Sequence, residues 1–374
     1  MSAIQKALVV GGGIGGMASA ISLARLGIVV DLVEIDPNWR VYGAGITITG
    51  PTLRAFQELG IYEKVKAIAY TGHGIRVCDI AGKQLAELPT PMPADSSVCG
   101  SGGIMRPDLH RILADLTLSS GVNVQLGITV NSLDQELNHV NVLFSDNRTE
   151  QYDLVVGADG INSKVRKLIF PQAPEVFFTG QNAWRLVAPR PSEIDCRHYF
   201  LGGPVKVGLS PVSDKNMYMF LLENSSSANR FSEPELHSRL RELLIPYGGV
   251  IGALREELSV ESAIIMRPLQ GLVLPAPWYL GRVLLIGDAA HPTTPQLASG
   301  AGMAVEDGIV LSQEIAKGDA IELVLQRYME RRYPRCRLVV DNSLEIGRRE
   351  QAGAPISAQT ELVESTLRML AEPA

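Results

Sequence analysis

Leu8–Glu34, LVVGGGIGGMASAISLARLGIVVDLVE, reads as strand, turn, helix and strand. Leu8, Val9 and Val10 form an apolar β-rich run that ends at glycines. Gly11, Gly13 and Gly16 fill the pattern G-x-G-x-x-G, with extra glycines at 12 and 15. In that pattern the first glycine allows the tight turn. The second lets backbone approach a pyrophosphate, and the third lets helix and strand pack closely. Gly11, Gly13, Ile14, Gly15 and Gly16 are therefore the candidate phosphate contacts, at a helix N-terminus with free N–H groups and the positive end of its dipole. Small residues (Ala18, Ala20, Ala24) suit a helix lying tight on a sheet, and Gly27 stops it. The next strand ends in Glu34, an acid placed to bind a ribose hydroxyl. The stretch predicts dinucleotide binding and fits NAD and FAD alike.

The chain has 374 residues, enough for one large core or two domains. Its hydrophobic content of 46% is that of an ordinary globular protein. A net charge of -6 gives no electrostatic case for nucleic acid or an anionic membrane surface. Four cysteines are scattered without a C-x-x-C pair, which argues against zinc and against a disulfide framework and suits a reducing cytoplasm. The six histidines are equally dispersed, so no metal site is expected. The N-terminus runs almost directly into a strand, without the basic and apolar regions of a signal peptide, and no apolar run is long enough to span a bilayer.

Further on, Pro51 can start a helix that Gly60 ends, and Ile75–Leu88 alternates like a hairpin turning at Ala81-Gly82-Lys83. A helix of about fourteen residues is expected after Arg106-Pro107. Leu154-Val155-Val156 is an apolar strand that runs into Gly157-Ala158-Asp159-Gly160. From 174 to 274 strand-like alternation dominates, with a polar loop at Asn224–Arg230 and a helix over Pro234–Leu244. Gly281–Asp288 is a second parallel-type strand, followed by a helix from about Met303. Val324–Arg348 has a helical pattern interrupted at Pro334, and Thr360–Leu370 is a short amphipathic helix.

Three separated segments form one set: the N-terminal fingerprint, GADGINSKVR (157–166) and GRVLLIGDAAHPTTPQLASGAGMAVED (281–307). Together they resemble the single-component FAD-dependent aromatic hydroxylases of the p-hydroxybenzoate hydroxylase type, nearer the salicylate, 6-hydroxynicotinate and urate hydroxylases. The resemblance runs from the first strand to about residue 345 and is weaker in the middle. It implies an α/β fold: a Rossmann-like FAD-binding domain with an inserted, mainly antiparallel β-sheet substrate domain and C-terminal helices. The division expected is 1–74, 98–175 and 281–330 for FAD, 75–97 and 176–280 for substrate, and 331–374 for the helical region.

By the same resemblance, Glu34 would hold the adenosine ribose, Arg40 and Arg106 would lie along the FAD, and Val130 would offer backbone to the adenine. Asp159 would sit near the pyrophosphate and the path of NAD(P)H, or else hold its own strand-end turn. Asp288 would bind a ribityl hydroxyl, and His291 would be a structural histidine beside the flavin. Pro295 would lie at the flavin ring. Gly300, Ala301, Gly302 and Met303 would follow at a helix N-terminus whose amides stabilise negative charge on the reduced flavin. Two departures stand out. Relatives often have glycine where this chain has Ala298 and Ala301, and a Cβ at 298 restricts a backbone that needs positive φ, which predicts another path for the loop.

The reaction implied is reduction of FAD by NADH or NADPH, addition of O₂ to give a flavin C4a-hydroperoxide, and oxygen transfer to a small aromatic or N-heteroaromatic substrate. Candidate substrate contacts are His73, Arg185, Tyr199 and Tyr218. Arg185 could face a carboxylate or the flavin, or be a solvated strand arginine. The tyrosines could hydrogen-bond a phenol or ring N–H, or be ordinary sheet aromatics. His73, between two glycines, could be a general base or a loop residue without a role. Other readings are an epoxidase acting on a non-aromatic ring and a non-catalytic flavin-binding scaffold. The C-terminal helices are a candidate homodimer surface.

Overall fold

The structure, a computed structural model, describes residues 4–41, 43–93, 96–228 and 231–374; the last two residues of the Asn224–Arg230 loop lie outside these. Lys6–Val10 sits inside a six-stranded sheet, parallel to Val29–Glu34 on one side and to Leu154–Gly157 on the other. Asn123–Leu126 extends the sheet at one edge, and Val283–Leu285 with Tyr279–Leu280 at the other. The run Leu8, Val9 and Val10 is buried on both faces, the pattern of a parallel strand covered by helices. The three motif segments thus follow three neighbouring strands, and their loops emerge at the carboxyl ends, where open α/β sheets bind ligands.

Helix Ile14–Ala24 is covered by helix Gly300–Ile315. The two approach so closely that a Cβ on Gly308 would stand 2.7 Å from the Cα of Ser19. The alanine-rich face therefore packs on a second helix as well as on the sheet.

The middle block builds a seven-stranded sheet in the order Ile264–Gly271, Phe177–Pro189, Asn216–Asn224, Lys206–Pro211, Arg197–Phe200, Ile75–Cys78 and Gln84–Leu88. The 75–88 hairpin joins it through a parallel pairing of Ile75–Cys78 with Arg197–Phe200. This sheet docks on the small sheet of Gly45–Thr49, Ser101–Met105 and Tyr70–Gly72. Buried Arg197 crosses the junction and donates from Nη2 to Ile48 O and Ser101 Oγ, both at 3.1 Å.

Several elements differ from the sequence reading. Helix Gly249–Glu257 lies where the glycine-rich GGVIGA run gives no helical signal, and polar Thr149–Tyr152 is an edge strand. Helix Ile321–Gln351 continues through Pro334 instead of breaking there. Arg331 and Arg332 before the proline and Arg335 after it are all tied to acids of the Gly300 helix. That anchoring holds both halves in line against a proline cost of ~3 kcal/mol.

Candidate active site

The loops at the carboxyl ends of the parallel strands, the start of the Gly300 helix and one face of the seven-stranded sheet enclose a cavity of about 480 Å³. Gly13, Ile14 and Gly15 line it at one end. Gly11 has φ +109°, and a Cβ on Gly16 would stand 1.8 Å from Gly11 O, so these two glycines are set by chain packing. Gly13 is different: a Cβ there would meet nothing within 4 Å, which leaves space for a ligand against its backbone.

Glu34 ends its strand beside this turn. Its Oε2 accepts the Gly12 N–H at 2.7 Å and its Oε1 the Asp36 N–H at 2.8 Å, with lone pairs left on both oxygens. Trp39, at φ +47°, donates its indole N–H to Gly12 O at 2.9 Å, so the Gly12 residue is clamped through both of its backbone groups. Trp39 was not singled out in the sequence, because nothing in an isolated tryptophan points to a loop twenty-seven residues earlier. Arg40 is bound to Asp36 and mostly exposed, and Val130 is buried at the start of its strand; neither lines the cavity. Asp159 also stays outside the lining. Its carboxylate accepts from the Ser163 hydroxyl and from the Lys164 and Val165 amides, the strand-end cap already considered for it.

Arg106 and Asp288 do line the cavity. Among the described residues neither side chain has a hydrogen-bond partner. Asp288 is open to the cavity, although protein surrounds it on every side. Burial raises its pKa, with His291 and Arg106 pulling the other way. Burial lowers the Arg106 pKa, and the neighbouring Arg185 charge lowers it further. A bare carboxylate, a bare guanidinium and an open glycine backbone in one cavity fit a ligand carrying both hydroxyls and phosphates.

The far wall comes from the sheet. Arg185 Nε donates to Tyr218 Oη at 3.2 Å, and both residues face the cavity. Tyr199 lines it too, edge-on to Phe220, with the Lys206 ammonium 5.2 Å from its ring centre. Lys206 is paired with Glu350 at 2.8 Å across 144 positions, a separation that leaves no local signal in the sequence. His73 is exposed and away from the cavity, accepting the Gly100 N–H at 3.3 Å on Nδ1. The geometry gives it a loop role and does not join it to the other candidates.

Pro295 lines the cavity and opens a short 3-10 turn, Pro295–Leu297. Ala298 follows at φ +50°, ψ +31°, so the loop takes the left-handed conformation despite its Cβ. Gly300 and Ala301 face the cavity at the start of the helix. Gly302 is pressed against Thr52, where a Cβ would stand 2.3 Å from Oγ1. The Met303 amide already donates to Ser299 O at 3.0 Å, so the free amides of this terminus precede it.

Behind this loop lies a buried charge network. His291 Nε2 is 2.7 Å from Asp307 Oδ2, which also accepts the Gly287 N–H at 2.8 Å. Arg332 donates to Asp307 Oδ1, to Glu306 Oε2 and to Met303 O. Burial opposes charge on His291, but Cys336 and Asp307 outweigh it and hold its pKa well above the ordinary value. His291, Asp307 and Cys336 come together as potential metal ligands, as do Asp195, Cys196 and His198. Each set already holds a guanidinium, Arg332 in one and Arg76 in the other, which disfavours a cation.

Comparison with known proteins agrees with this geometry. The model of the FAD binding domain family matches residues 5–343, and the chain belongs to that family. It is 32% identical over 354 residues to YetM of Bacillus subtilis, assigned as an FAD-dependent monooxygenase, covering 94% of this chain and 95% of YetM. It is 29% identical over 356 residues to the 2-heptyl-3-hydroxy-4(1H)-quinolone synthase of Pseudomonas aeruginosa (strain PAO1), covering 94% and 91%. The fold matches that of Klebsiella pneumoniae HpxO solved with FAD and uric acid, at a TM-score of 0.83 and 23% identity over 98% of this chain and 92% of HpxO. The chain is an FAD-dependent monooxygenase of the aromatic-hydroxylase type. No helix among its described residues is long and apolar enough to cross a membrane.

Proposed function

We propose that the protein uses NADH or NADPH and O₂ to hydroxylate a small aromatic or N-heteroaromatic substrate, in the cytoplasm where those nucleotides are available. The observation that carries this reading is the shared cavity: Gly13 and Asp288 on the side of the parallel strands, Arg185 and Tyr218 on the sheet with Arg106 beside them, and Pro295 also in its lining. The division into an FAD domain (1–74, 98–175, 281–330), a substrate domain (75–97, 176–280) and a helical region (331–374) belongs to the same proposal.

FAD held here would supply the redox chemistry: hydride acceptance from the nicotinamide and transfer of one oxygen atom of O₂ to the ring, the other leaving as water. The chain holds and orients. Gly13 backbone and the Ile14 helix terminus would meet the pyrophosphate, Asp288 would accept a ribityl hydroxyl, and Arg106 would neutralise a phosphate. Glu34 keeps spare lone pairs for the ribose. The amides of Gly300 and Ala301 would stabilise negative charge on the flavin ring. Arg185 and Tyr218 would face the substrate, the guanidinium favouring its ionised form. Tyr199 would pack against it. A relative named as a quinolone synthase supports an N-heteroaromatic ring among the candidates.

The test is nucleotide oxidation by the FAD-loaded protein against phenols, hydroxypyridines, purines and quinolones, with hydroxylated product measured alongside peroxide. Substrate-stimulated oxidation with product formation is the expected result. Oxidation that yields peroxide alone across the whole panel would overturn the reading.

A further inference from the structure

A second cavity, of about 420 Å³, abuts the first. Five residues face both: Tyr199, Lys206, Leu222, Gln296 and Ala298. Beyond them it lies between the strands Ile75–Cys78 and Arg197–Phe200 and the C-terminal helix Ile356–Ala371. It reaches the surface where the Leu88–Pro91 stretch faces the exposed Glu364 and Arg368. Its wall is mainly apolar, from Ile75, Val77, Phe200, Val205, Val363 and Leu367. The volume is that of a ligand site in its own right.

Gln296 is fixed at the boundary between the two cavities. Gln296 donates from Nε2 to Gln181 Oε1 at 2.9 Å and to Glu350 Oε2 at 3.2 Å. Its Oε1 has no partner among the described residues, although the residue is only 8% exposed. A buried amide oxygen without a donor is costly. An apolar space joined to the first cavity fits one shape of ligand: a polar ring continued by a slim hydrocarbon chain.

We propose that the second cavity is a tail site, and that the substrate is an amphiphile. Its aromatic head lies in the first cavity, and an unbranched alkyl chain of several carbons runs toward the C-terminal helix. This rests on the hydroxylase reading above and narrows it to alkyl-substituted rings.

The experiment uses the full FAD-loaded chain and two heads, 4-hydroxyquinoline and phenol, each carrying methyl, butyl or heptyl. Binding is read from the perturbed flavin absorbance. Affinity should rise about two- to fourfold per methylene on at least one head, the gain expected from burying apolar surface. Val363→Trp, which fills the second cavity, should cut the heptyl-to-methyl affinity ratio at least tenfold. Leu367→Gln, closer in size and polar, should cut it in the same direction and covers the case in which the tryptophan variant fails to fold. Equal affinities along both series, no binding of either heptyl compound, or an unchanged ratio in folded variants would overturn the tail site. A methyl compound that is bound and hydroxylated without any gain from chain length leaves the hydroxylase reading standing. Absence of product on the broad panel would remove that reading, and the tail site with it.

Discussion

His291 Nε2 and Asp307 Oδ2 stand 2.7 Å apart in the interior, one on the loop that follows strand Val283–Leu285 and the other on the Gly300 helix. The same carboxylate takes the Gly287 N–H and the Arg332 Nε–H. One side chain therefore fixes three things: the turn before Asp288, the orientation of His291, and the long C-terminal helix. The loop bearing Pro295 is suspended between these anchors.

Asp307→Ala should therefore be severe. It leaves Arg332, which is fully buried, with one of its two carboxylate partners gone, and breaking a buried charge network costs about 3–5 kcal/mol. Denaturant unfolding should show that loss, and FAD retention should fall with it. A change below about 1 kcal/mol would mean that Asp307 is not the anchor described.

Gly13→Ala and Gly16→Ala should separate binding from folding. A Cβ at Gly16 collides with Gly11 O at 1.8 Å, so that variant should lose soluble folded protein. A Cβ at Gly13 meets nothing within 4 Å, and its φ of -77° is ordinary. Gly13→Ala should melt within a few degrees of the parent and bind FAD at least tenfold more weakly. Parent-like FAD affinity in Gly13→Ala would show that the open space is not occupied by the cofactor.

Ala298 holds a left-handed conformation that costs a residue with a Cβ roughly 1–2 kcal/mol. Ala298→Gly removes that strain but gives back about 0.5–1 kcal/mol in unfolded-state entropy. The variant should be as stable as the parent or up to ~1 kcal/mol more so, whereas Ala298→Val should lose more than ~1 kcal/mol. Thermal melts of the three proteins check the order, and a valine variant as stable as the glycine one would contradict the observed backbone.

How far the sequence carries can be seen from these residues. Gly11, Gly16 and the apolar strands were readable because their constraint is local: a turn, a close approach, a period of side-chain burial. Asp288 and Pro295 were readable only through resemblance of the surrounding motif, since a lone Asp or Pro fits many loops. Trp39, Lys206 and Arg332 were not readable at all. Each takes its meaning from a partner far along the chain, namely Gly12, Glu350 and Asp307. Pro334 misled for the same reason. Its local rule is sound, and ion pairs on both sides overrode it.

Glu314 makes the fold sensitive to acid. Its side chain has no solvent exposure, and it binds Lys317, Arg327 and Arg331 at 2.6–2.8 Å. Burial works against its ionised form, but hydrogen bonds from those three cations prevail and pull its pKa from 4.5 down to about 2. A depressed carboxylate stabilises the fold at pH values above its unfolded pKa, and that contribution is lost as pH falls through the folded one. The window is thus from about pH 4.5 down to about 2, and the amount at stake is on the order of 3 kcal/mol. Glu314→Gln should be less stable than the parent at pH 7, and the gap should narrow steadily as pH falls from 4.5 toward 2. Urea unfolding at several pH values checks this. A stability gap that stays constant over that range would show that the loss at Glu314 is one of packing and not of charge.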